Sequence, residues 1–394
     1  MGVCPERAAV GRARAAAVAV LRALAPSGTV QTPAYTARRS LHHAPPAIRD
    51  LLRVLAGPVR SSPFPSTLDM SSFHPCLVAD IGGTNARFGW IDAPGAAVQH
   101  VRTLATADHA GPAEAAAAYL QDLRAEGGAA LPAPRAAALA VATAVTGDVI
   151  SYTNGSWRFA CSALPAALGV ATVRVLNDFE ALALALPSLR SAQFRAHAQP
   201  PRPQGVLAVV GPGTGLGVGA AVQTAGGWMA LPGEGGHATL APTDEEESRL
   251  LAQVRQWHTH VSAERLLSGI GLPVLHRAVC ALAGAPDAGL TTPQIVERGL
   301  QGDDALARRT LEHFCALLGS FCGSVALTLG ARGGLYIGGG IVPRLGEFFF
   351  ESAFRARFEA KGRSSAYLAA VPTAVITDTL VALQGAAAAL ESAA

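Results

Sequence analysis

A short apolar run, a glycine turn and a second β-run occur twice in this chain, and the repeat restricts the fold more than any other feature. The first copy is CLVADI (76–81), the turn GGTN and ARFGWI (86–91). The second is VLAVV (206–210), GPGTGLG (211–217) and VGAAV (218–222). Two β-runs joined by a glycine turn predict a hairpin. Two such hairpins, each followed by further strand and helix patterns, predict an internally duplicated α/β fold.

After the first hairpin, AEAAAAYLQDLRAE (113–126) predicts a helix stopped by Gly127 and Gly128. Buried strands are expected at 136–142 and 172–176, with a helix over 179–186 closed by Pro187. AQPPRPQG (198–205) reads as a surface connection. Thr243 and Glu246 predict a capping box for a helix through Gln256. Helical segments are expected to fill 262–330, strand and loop 334–343, a last strand 372–377 and a final helix 380–393.

Lys361 is the single lysine of 394 residues, and it lies in FEAKGRSS. A Walker A loop or a protein-kinase site needs a lysine beside the phosphates, so both architectures are excluded. The six cysteines (4, 76, 161, 280, 315, 322) form no CxxC pair and no zinc spacing, which predicts a reduced, cytoplasmic chain. No apolar run approaches the roughly 18 residues of a membrane span, so no membrane partner is expected. Residues 1–70 carry nine arginines against three acids, a balance of +6, whereas 71–394 carry −3. The basic excess belongs to this leader, so it argues for no nucleic-acid partner. A secretory core at AAAVAVL (15–21) is cut short by Arg22; an organellar transit peptide or a translation start at Met70 fits the leader better, and the start is preferred.

The glycine turns suit anion binding. Gly82 and Gly83 in ADIGGTNAR (79–87) present no β-carbon to an approaching phosphate oxygen, and backbone amides with the Thr84 hydroxyl can hold an anion without lysine. Asp80 repels phosphate directly; its sensible role is to orient the Mg²⁺ of Mg·ATP through water. Gly213, Thr214 and Gly215 offer a second cradle, and GGGIVP (338–343) lets the backbone pass close to an adenine ring. Asn177 and Asp178 end a buried strand, where ligands bind in open α/β sheets. Asp178 is there either a base of ordinary pKa or simply the N-cap of the next helix. Glu234 and His237 in LPGEGGH, with Glu264 near the start of a helix in HVSAERLLSG, form a hydroxyl-binding set or, taken singly, loop-packing and first-turn residues.

Together DIGGTNAR, NDFEA, GPGTGLGV, LPGEGGH, HVSAERLLSG and GGGIVPR resemble the bacterial glucokinase family of the actin/hexokinase/Hsp70 superfamily, over residues 75–392. The resemblance implies a two-domain ribonuclease H-like fold with an interdomain active-site cleft. It divides the chain into a leader (1–72), a small domain (73–188 with 379–394) and a large domain (189–378). It further implies an ATP phosphate loop over Ala79, Asp80, Ile81, Gly82, Gly83 and Thr84, Asp178 as the base that deprotonates the glucose 6-hydroxyl, and Asn177, Glu234, His237 and Glu264 as glucose ligands. Mg·ATP as the donor, no resident metal and a homodimer complete the expectation. EGGHATLAPTDEEE lacks the cysteines of the zinc-bearing ROK sister branch. A silent sugar sensor binding DNA through 1–70 is the rival from another class, and the leader shows no convincing helix-turn-helix. Mass spectrometry of the native protein should find an N-terminus at or near Met70; an intact Met1 species would remove the internal start.

Overall fold

The computed structural model describes residues 73–127, 132–152, 157–197 and 199–392. The expectations for the leader, including Met70 and Cys4, lie outside them, as does the stop at Gly128.

The two predicted hairpins are both present, and each opens a sheet of the same design. β1 (Cys76–Ile81) and β2 (Asn85–Ile91) are antiparallel, and β3 (Gln99–Ala105) extends the meander. β4 (Ala136–Val141) and β7 (Thr172–Asn177) then add in parallel on the other side of β1, giving the order β3-β2-β1-β4-β7. β5 (Val149–Ser151) and β6 (Arg158–Ala160) form a separate small hairpin. In the second sheet β9 (Val206–Pro212), β10 (Leu216–Thr224) and β11 (Gly227–Leu231) repeat the antiparallel meander. β12 (Gly334–Ile337) and β13 (Thr373–Ile376) repeat the parallel pair, and β8 (Phe194–Ala196) lines the far edge. The order β11-β10-β9-β12-β13 matches that of the first sheet, so the duplication inferred from the two glycine turns holds through five strands.

Among the described residues seven helices reach eight residues: α1 (Pro112–Gly127), α2 (Asp178–Ala185), α3 (Glu245–Arg255), α4 (Leu272–Leu282), α5 (Thr292–Gln301), α6 (Ala305–Leu329) and α7 (Val381–Glu391). α6 is long and apolar enough in composition to cross a bilayer, contrary to expectation, but 67% of its most apolar window is buried. Its Phe314, Leu317 and Leu318 fill the core beneath the second sheet, which is the ordinary reason for an apolar helix in a large domain.

α2 lies between the sheets. Ala181 and Leu184 join the core shared by the first sheet and α7, whereas Ala183 and Ala185 pack with Leu207, Val209 and Ala221 of the second. Alternating small residues allow a helix to be buried on both sides at close approach. The approach to α7 is tightest at Gly385, where a β-carbon would stand 1.7 Å from the Ala181 carbonyl oxygen.

Two local expectations are corrected. The cap of α3 is Asp244, whose carboxylate accepts the Glu247 amide at 2.8 Å, while Glu247 reaches back to the Thr243 amide at 2.7 Å; aspartate is the better N-cap and shifts the box by one residue. Residues 262–271 form successive turns rather than a helix, so Glu264 is no first-turn acid.

Replacing Gly385 by alanine should lower stability. Helix propensity favours alanine by about 1 kcal/mol, but overpacking against backbone costs about 1–3 kcal/mol. Thermal unfolding of Gly385→Ala should begin several degrees lower; an unchanged or raised midpoint would show that α2 and α7 are not this close.

Candidate active site

Both glycine turns sit at the ends of the central strands β1 and β9, Asp178 follows the edge strand β7, and hydrogen bonds determine which of their groups remain to meet a ligand. In the first turn the Gly82 amide closes on the Asn85 carbonyl at 2.9 Å. Thr106 staples the turn from below β3, its amide to the Thr84 carbonyl at 3.0 Å and its hydroxyl to the Gly83 carbonyl at 2.8 Å. Among the described residues no backbone acceptor takes the Gly83 or Thr84 amide. These two N–H groups and the exposed Thr84 hydroxyl are what the turn can offer an anion. Ala79 and Ile81 are buried strand residues, and the Ile81 carbonyl accepts bonds from the Ala142 amide (2.9 Å) and the Tyr152 hydroxyl (3.1 Å). They position the turn through the backbone.

In the second turn Gly213 is spent: its amide donates to the Gly215 carbonyl at 2.9 Å and its carbonyl accepts from Gly269 at 2.7 Å. The Thr214 carbonyl accepts from Ile270 at 3.2 Å. Thr214 and Gly215 are left as donors. A β-carbon at Gly215 would lie 2.5 Å from the Glu264 carboxylate and displace it from the Leu216 amide. The flanking Gly217 serves packing, since a side chain there would enter the ring of Phe179. The third glycine run closes against the same hairpin, with the Gly338 amide on the Val210 carbonyl at 2.9 Å.

At the end of β7 the two candidate roles separate. Asn177, not Asp178, is the N-cap of α2: its side-chain oxygen accepts the Phe179 amide at 2.9 Å, while its amide donates to the Thr143 carbonyl at 3.2 Å. Asp178 also reaches the Phe179 amide, at 3.0 Å. Its pKa is not ordinary, as the sequence suggested, but pushed up to about 7, first by burial and then by the charge of Asp80; bonds from the Phe179 amide and Asn177 oppose the rise. Burial also raises Asp80, against the pull of Arg87, its partner across the β1–β2 pair.

Glu234, His237 and Glu264 come together although 30 residues separate the outer two. The Glu264 amide bonds the Gly236 carbonyl at 2.9 Å and the Ala263 amide bonds Ala238 at 2.9 Å, zipping the two loops. His237 then has Glu234 at 3.9 Å from one ring nitrogen and Glu264 at 3.7 Å from the other. The second Glu264 oxygen accepts the Leu216 amide at 2.9 Å, so this carboxylate joins the cluster to the second glycine turn. Sequence reasoning missed Arg87, Thr106 and Tyr152. Arg87 was within reach, because a four-residue turn after Ile81 sets position 87 opposite 80; the other two arrive from distant elements with no local signal.

A sequence profile described as Glucokinase matches residues 77–393. The glucokinase of Chromobacterium violaceum is 51% identical over 315 residues, covering 80% of this chain and 88% of that protein. The glucokinase of Aromatoleum aromaticum is 48% identical over 327 residues, covering 82% and 96%. The crystal structure of a glucokinase from an Antarctic psychrotroph superimposes with a TM-score of 0.74 at 38% identity, covering 81% of this chain and 99% of that one. With both sheets, both glycine turns and the Asp178 strand inside the matched region, the chain belongs to the glucokinase family.

Proposed function

We propose that Asp178 is the general base in the ATP-dependent phosphorylation of glucose to glucose 6-phosphate, the reaction of the family to which this chain belongs. The observation that carries the assignment is the division of labour at the head of α2. Asn177 caps the helix, and this leaves the second Asp178 oxygen for a substrate hydroxyl. In the transfer, the glucose 6-hydroxyl gives its proton to Asp178 while its oxygen bonds the γ-phosphorus of ATP. The bond from that phosphorus to the β-bridging oxygen breaks, and ADP leaves. A base with a pKa near the working pH is well matched to this step.

Glu234, His237 and Glu264 are assigned to the sugar hydroxyls, as carboxylates accept and imidazole donates or accepts. Asn177, whose amide donates to the Thr143 carbonyl and to Asp178, is assigned to the same ring beside them. Gly83, Thr84, Thr214 and Gly215 are assigned to the phosphates. Asp80, a half-buried carboxylate beside the first turn, has the oxygen chemistry Mg²⁺ requires, and among the described residues no cluster of three or more metal-binding side chains competes for it. Bound with ATP, Mg²⁺ would neutralise phosphate charge; Asp80 would orient it. A homodimer, a cytoplasmic location and closure of the two sheet-bearing lobes over the substrates remain part of the reading by family resemblance.

Asp178→Asn should keep glucose binding in calorimetry and lose at least ~10²-fold in kcat; normal turnover would dismiss the base. The sign of the pH dependence follows from the raised pKa. Below about 7 Asp178 holds its proton and cannot accept another, so kcat/KM should climb as pH rises through about 7. Asp80→Asn removes a like charge and should move this limb to lower pH, whereas an unmoved limb would deny the pairing.

A further inference from the structure

Behind the proposed sugar loop is a cavity of about 310 Å³, within the size range of small-molecule sites. One wall is the loop itself, through Gly235, Ala238 and Leu240; another is α6, through Phe321, Val325 and Leu329. Loop and β10 are pressed together there, a β-carbon at Gly235 standing 3.0 Å from the side chain of Val218. Five hydroxyl residues line the cavity, and three of them are engaged elsewhere. Ser324 donates to the Ser320 carbonyl at 3.1 Å, Thr243 to Glu247 at 2.9 Å, and Thr239 lies 3.1 Å from a His260 ring nitrogen.

The one charged side chain lining this apolar space is Lys361, the single lysine of the chain. Its ammonium is half-buried, and no carboxylate among the described residues forms an ion pair with it. Glu247, whose charge acts on it, is held by Arg357 and Thr243. Burial, and then the Arg357 charge, depress the Lys361 pKa. An anion would restore what burial has taken from this ammonium.

We propose that the cavity binds a small aliphatic carboxylate, its chain against Phe321, Val325 and Leu329 and its head group on Lys361, and that occupancy changes the glucose affinity of the adjoining loop. The coupling rests on the sugar-binding role proposed above; the binding itself does not.

Octanoate is the probe. Because Lys361 and the chain's α-amino group are the only primary amines, limiting treatment of the full-length protein with an acetylating ester, read by mass spectrometry, reports on both. Octanoate should protect Lys361 and leave the α-amino group unchanged, while the uncharged octanamide should protect far less. By calorimetry, affinity should rise about fourfold per methylene from hexanoate to octanoate. Lys361→Met should weaken octanoate binding roughly tenfold or more at unchanged basal turnover. Glucose KM should shift with octanoate in the wild type and not in Lys361→Met. Equal protection by octanamide, or no protection, overturns the site. A Lys361 that resists acetylation in the native protein would mean that the amine is already covered, by its own chain or a second copy, which also overturns it. Protection without any change in glucose KM overturns the coupling and leaves the base assignment untouched.

Discussion

The burial of α2 on two sides at once is the constraint on which the rest of the structure depends. An eight-residue helix that presents Ala181 and Leu184 to one sheet and Ala183 and Ala185 to another has no face left for solvent over most of its length. It therefore has to be narrow, and its neighbours have to give way. Gly385 does so on α7, and Gly217 and Gly211 do so where Phe179 meets the second hairpin. The glycine-rich segment GPGTGLG thus serves two ends. Its outer glycines admit an aromatic ring from α2, and its inner residues form the turn proposed for the phosphates.

Electrostatics at the head of α2 runs against the usual preference. A helix N-terminus favours a carboxylate, and three hydrogen-bond donors (the Phe179 amide, its own amide and the Asn177 side chain) support Asp178 there. Burial together with a second carboxylate outweighs them, because desolvation of a charge costs more than these bonds return. Glu264 is the counterpart across the hairpin. With one oxygen on the Leu216 amide and the other 3.7 Å from a His237 ring nitrogen, it links the loop of Glu234 and His237 to the second glycine turn.

The elements legible in the sequence were those with a strong local signal. β4 and the VLAVV of β9 are uninterrupted apolar runs, β1 is broken only by Asp80, and their limits emerged within a residue or two. β3, β8 and β11 were not foreseen, since β3 is mostly exposed and β8 has only three residues; an edge strand needs no apolar pattern. The site was legible as residue types at glycine turns and strand ends, but not in its allocation of hydrogen bonds. Whether Asn177 or Asp178 capped the helix could not be decided from adjacent letters that both cap well. That Gly215 makes room for Glu264 could not be seen either, because the two positions meet only when residues 262–271 fold as turns.

A helix gripped by both sheets also defines an axis. Any rotation of one sheet against the other must turn about the contacts that neither can abandon, and α2 is where those contacts concentrate. A group at the end of such a spindle sweeps a short arc, whereas Glu234 and His237, carried on an exposed loop of the second sheet, sweep a longer one. Asp178 therefore stands as a nearly fixed point of reference against which that loop moves.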